Sequence, residues 1–137
     1  MIPFAAGSIA IWILPPQPAE RVAFLLVAYG AVILSFMGAV HWGLVISPRA
    51  ARADTNETRW LSMGVVPALL GWLALMLDPL TALVLLALAF AGVHSLDRLA
   101  IAAGLAPVWY GRLRFWLSAA VLGFLVLGIG AVWSRAA

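Results

Sequence analysis

The sequence predicts an all-α membrane protein, a bundle of about five transmembrane helices with a cytoplasmic N-terminus. Three observations carry that expectation. Of the 137 residues, 66% are hydrophobic and only 9% charged, and the mean hydropathy is +1.11. A soluble domain of this size needs far more polar surface. The apolar residues fall into five runs of near-spanning length, and the charges and prolines gather between them.

The first run, 2–14, is closed by Pro15, Pro16 and Pro18. A helix of that length rises about 20 Å, short of a hydrocarbon core of about 30 Å. No Arg or Lys precedes it and no small-residue cleavage site follows, so it reads as a first span rather than a signal peptide. The second run, 22–46, is the longest and contains Tyr29, Ser35 and His41 without a formal charge. Ser47-Pro48 ends it, and a polar segment leads to the third run, 60–77, with Pro67 in its middle, where a proline removes one backbone hydrogen bond. Asp78-Pro79 forms a tight turn into the fourth run, 80–96, making an antiparallel hairpin. A polar stretch from Asp97 to Arg114 precedes the fifth run, 115–133. The five spans form one domain.

Orientation follows from the arginines, which supply all eight basic side chains. Arg49, Arg52, Arg59, Arg98, Arg112 and Arg114 belong to the two loops on one side; only Arg21 and Arg135 belong to the other. The positive-inside bias places the first group, and with it the N-terminus, on the cytoplasmic or matrix side of a bacterial or mitochondrial inner membrane. There the sequon Asn56-Glu57-Thr58 would escape glycosylation. Arginines at span ends meet lipid headgroups, which excludes nucleic acid as the partner and leaves the lipid bilayer. With no cysteine there are no disulfides, thiolate metal sites or redox dithiols.

On the second span, Ala31, Ser35, Ala39 and Gly43 form a ladder of small residues at every fourth position, a packing surface for another span or, in a homo-oligomer, for a second copy. Gly30 and Gly38 lie on the other side, near His41. Gly64 and Ala68 on the third span, with Gly123 and Gly128 on the fifth, are the expected complements. His41 lies well inside a span, where an ionisable group is costly and marks a candidate site. It is expected to face the interior and to hydrogen-bond a polar group on another span or on the Asp97–Arg114 stretch. His41 and His94 at one depth offer two axial ligands for a haem iron, or with Asp97 a divalent-metal site; the leading expectation is no cofactor and no metal. Asp97, Arg98, Arg112 and Arg114 form a second polar cluster, suited to phosphate headgroups or to an ion pair between the fourth and fifth spans. Trp42, near a span end, suits an aromatic belt. There is no phosphate loop, no nucleophile paired with a base and no intramembrane carboxylate pair, so no catalytic residue is expected and the protein does not read as an enzyme.

The string from Tyr29 to Gly43, ending in His41-Trp42-Gly43, resembles the signature of the transmembrane protein 69-like family, small multi-span proteins of proteobacteria and mitochondria. Ile2-Pro3-Phe4, Val65-Val66-Pro67 with Trp72, Asp97-Arg98, Trp109-Tyr110 and Arg112-Leu113-Arg114 are similar as well. The family often has residues ahead of the Ile-Pro-Phe element and has no characteristic histidine at the position of His94, which weakens the paired-histidine idea. The resemblance implies a multi-span membrane fold and no established activity. The leading functional expectation is a non-enzymatic accessory, scaffold or assembly protein that works with a membrane-protein partner. The alternatives are a carrier of small solutes, protons or quinones using His41, and a haem or metal protein using His41 and His94.

Overall fold

A computed structural model describes residues 1–48 and 56–136. Arg49 and Arg52, expected on the Arg-rich side, lie outside the described residues. Among the described residues five helices follow one another: α1 (Ile2–Ile13), α2 (Pro16–Ile46), α3 (Glu57–Ala74), α4 (Pro79–Ala102) and α5 (Val108–Ala136). The chain is a membrane helical bundle. α2, α4 and α5 are each long and apolar enough to cross a bilayer; α1 is a shorter apolar helix.

The helices begin and end where local chemistry dictates. Leu14 is extended at ψ 152°, as a residue before proline must be. Pro16 and Pro18 then sit in the first turn of α2, where the missing N–H groups have no intrahelical partner to lose. That is why α2 starts at Pro16 and carries Glu20 and Arg21 in helix, ahead of the apolar run that begins at Val22. Asn56 caps α3 by accepting from the Arg59 N–H at 3.1 Å. Asp78 caps α4, accepting from the backbone of Leu80 and Thr81 at 3.1 Å each. α4 continues beyond the apolar run to Ala102 and closes on Gly104 at φ 77°. The N–H of Leu105 returns to the Ala100 carbonyl at 2.9 Å and that of Gly104 to Ile101 at 3.0 Å, the paired bonds of a left-handed helix stop. α5 starts at Val108, directly after Pro107, so Tyr110 and Arg114 belong to a helix and not to a loop.

α2 and α4 form the centre. α2 touches α1, α3 and α4, and α4 touches α2, α3 and α5, while α1 also packs on α5. The core between α1, α2, α4 and α5 holds Phe4, Leu26, Leu34, Leu86, Phe90 and Leu125, all buried. Phe4 meets Phe90 edge to face at 5.8 Å and Tyr29 at 5.1 Å. Inside a bilayer such packing gains van der Waals contact rather than hydrophobic transfer energy, so shape decides it. The α2–α3 seam is the closest approach: a Cβ on Gly38 would strike the Gly64 carbonyl, and one on Gly71 would meet the Ala31 backbone at 3.0 Å.

The ladder Ala31, Ser35, Ala39, Gly43 is only half a seam. Ala31 is buried and Ser35 partly so, but Ala39 and Gly43 are exposed, and a Cβ on Gly43 would meet nothing within 4 Å. A strict four-residue step advances about 40° beyond a full turn each time, so three steps carry the row well off the buried face. The buried face runs instead through Val27, Gly30, Leu34, Met37, Gly38, His41 and Val45. Gly64 and Gly128 are buried, but against Gly38 and Trp42 and against Ser8 and Leu26 respectively rather than against the ladder; Gly123 is exposed.

Candidate polar site at the α2–α4–α5 junction

His41, Asp97, Tyr110 and Arg114 come from three helices and meet at the end of the bundle that carries the α4–α5 turn. Asp97 stands between the others. Its Oδ2 accepts from Arg114 Nε at 2.6 Å, and its Oδ1 accepts from the Tyr110 hydroxyl at 3.2 Å. Arg114 Nη2 is also 2.6 Å from Oδ2, but makes no well-directed hydrogen bond there. Asp97 is 1% exposed and the Arg114 side chain 11%. A carboxylate buried in this way is costly unless paired, and the arginine offsets that cost.

His41 approaches Asp97 from α2 with no exposed surface. Its Nδ1 lies 3.2 Å from the Met37 carbonyl on its own helix. A carbonyl only accepts, so Nδ1 carries hydrogen. Nε2 is 3.5 Å from Asp97 Oδ1 and has no hydrogen-bond partner. The expected hydrogen bond to another span is therefore a correction: His41 faces the interior, but its bond is to its own helix and Asp97 is a near neighbour. Trp60 at the start of α3 stacks on the imidazole, with ring centres 6.3 Å apart and planes 8° from parallel. Trp60 also packs on Leu105 and Ala100, so the left-handed stop after α4 closes the site from below.

The other candidate residues lie apart. Tyr29 packs on Phe4, more than three turns from His41 along α2. Ser35 bonds back to the Ala31 carbonyl at 2.8 Å. Trp42 lies over Gly64 and donates its Nε1–H to the Leu61 carbonyl at 2.9 Å, locking α2 to α3. Arg98 and Arg112 are exposed. His94 rests on Phe115, with ring centres 6.2 Å apart, and Nε2 of His41 lies beside Asp97. Among the described residues no group of three or more His, Asp or Glu is placed to hold a metal ion. Sequence reasoning placed Tyr110 in the polar stretch with Arg112 and Arg114, and Trp60 among the belt tryptophans at span ends, but gave no role to Ser118. The signal for Ser118 was present, because Tyr110, Arg114 and Ser118 recur every four residues along one side of α5.

At the opposite end Arg135 Nη2 donates to the carbonyls of Leu14 at 2.7 Å and Trp12 at 3.3 Å, closing the last turn of α1. Ser8 Oγ donates to the Phe124 carbonyl at 2.6 Å beside Gly128.

The family model described as "Protein of unknown function (DUF3429)" matches residues 1–130. Transmembrane protein 69 of Xenopus tropicalis is 38% identical over 109 residues, which cover 77% of this chain and 41% of that protein. The chain thus spans about two fifths of the length of that relative. No solved structure matches.

Proposed function

Because the chain belongs to the DUF3429 family of unknown function, with Transmembrane protein 69 among its relatives, we propose that it works as a non-enzymatic accessory, scaffold or assembly protein in an energy-transducing inner membrane. The enclosure of its polar cluster carries this reading. His41 and Asp97 are sealed from solvent, and the cluster joins α2, α4 and α5 as a clamp. A carrier using His41 needs a path for solute or water to the ring, and the ring has no exposed surface. A haem reading needs Nε2 free to face iron. By the arginine bias the α4–α5 turn faces the cytoplasm or the matrix.

The test is purification of the tagged protein from its own membranes in a mild detergent, followed by quantitative mass spectrometry. A defined membrane-protein partner in fixed ratio supports the proposal. Recovery of the chain alone, together with saturable solute or proton flux in reconstituted vesicles, overturns it in favour of the carrier.

A further inference from the structure

Between α2 and α5 lies a cleft of about 290 Å³. Met37 and Val40 form one wall, Leu117 and Val121 the other, with Phe90 of α4 behind them. Its volume is at the lower limit of small-molecule sites, roughly 300 Å³, and suits one chain rather than a bulky ring system. Its rim residues Phe36 and Leu113 are exposed on the bundle's outer surface, where lipid is the solvent.

One end of this apolar cleft is polar. Tyr110, Arg114 and Ser118 line it from successive turns of α5. Ser118 carries unspent hydrogen-bonding capacity, its Oγ buried without any partner among the described residues. Arg114 meets Asp97 Oδ2 through both Nε and Nη2 at 2.6 Å and keeps Nη1 for a further acceptor. Ser118 is 4% exposed, and a buried hydroxyl left without a partner is destabilising. The other helical serines show what Ser118 declines to do: Ser35, Ser62 and Ser95 each donate to the carbonyl four residues back. A cationic group and an uncommitted hydroxyl one turn apart, at the end of an acyl-sized cleft, match an anionic phosphate whose chain lies along the cleft.

We propose that the α2–α5 cleft holds one acyl chain of an anionic phospholipid, with the phosphate on Arg114 and Ser118. Arg114 would then serve two carriers of negative charge, Asp97 through Nε and Nη2 and the phosphate through Nη1. The lipid would fill the gap between two helices that scarcely touch along this stretch.

The experiment is native mass spectrometry of the delipidated protein offered phosphatidylglycerol, phosphatidylcholine or oleate in turn. The expected result is one phosphatidylglycerol per chain, retained about tenfold over phosphatidylcholine, a margin of about 1.4 kcal/mol. Val121→Phe, which fills the cleft, should abolish retention, and Ser118→Ala should weaken it several-fold while helicity by circular dichroism stays unchanged. If Val121→Phe does not fold, Ser118→Ala alone decides. The proposal is overturned by no retained lipid, by equal retention of phosphatidylcholine, by oleate held in preference to phosphatidylglycerol, or by retention that Ser118→Ala leaves intact.

Discussion

Asp97→Ala is the most informative single change. It removes the carboxylate that receives Arg114 Nε at 2.6 Å and the Tyr110 hydroxyl at 3.2 Å, and leaves a guanidinium that is only 11% exposed. Because both partners are buried, the weak figure for surface ion pairs does not apply. Breaking a buried pair from one side costs about 3–5 kcal/mol, most of it the stranded charge. The double change Asp97→Ala with Arg114→Leu removes both charges, and should recover most of the loss. Unfolding in mixed micelles titrated with dodecyl sulfate gives the free energies of the wild type, both singles and the double, and hence the coupling energy. A coupling below about 1 kcal/mol, the range of exposed pairs, would refute the clamp.

Three further outcomes follow from the geometry. His41→Leu should cost no more than about 1–3 kcal/mol in the same titration, less than Asp97→Ala, since Nε2 makes no hydrogen bond and what is lost is the Met37 contact and the Trp60 stacking. Gly38→Ala should destabilise by roughly 1–3 kcal/mol through overpacking of the α2–α3 seam, whereas Gly43→Ala, facing open space, should be neutral or gain about 0.5–1 kcal/mol from helix propensity; equal effects would contradict the seam. The Asp78 carboxyl is held below its ordinary 3.8 by hydrogen bonds from Thr81, first its side chain and then its backbone. Its capping contribution is therefore complete above that value and disappears as the pH falls through the lower folded value. Hydrogen exchange at the Leu80 and Thr81 amides should accelerate on that acid limb, and Asp78→Asn, which caps without titrating, should remove the dependence.

Hydrophobic runs made the five helices legible, because apolar length is read directly from side chains. Their ends were less so. The starts of α2 and α5 lie in polar residues that proline organises into helix, and polarity alone marks such residues as loop. Asp97 and Arg114 were visible as a candidate ion pair because opposite charges beside adjoining apolar runs have few other solutions. The choice of buried face on α2 depended on rotation: a four-residue ladder and a 3.6-residue helix agree over one step and part over three. Trp60 was opaque for another reason. Its stacking on His41 depends on how α3 re-enters the bundle, which no local pattern in either segment encodes.

The position of Asp97 also imposes an order on biosynthesis. α4 emerges from the ribosome before α5, and the residues that neutralise and bond the carboxylate arrive later, Tyr110 after 13 positions and Arg114 after 17. Until then α4 carries an unmatched acid, worth up to about 3 kcal/mol against insertion at the helix centre. α4 and α5 are thus disposed to enter the membrane together as a hairpin, with the five-residue turn between them already formed. A nascent chain arrested between Asp97 and Arg114 presents a hydrophobic helix marked by a bare charge.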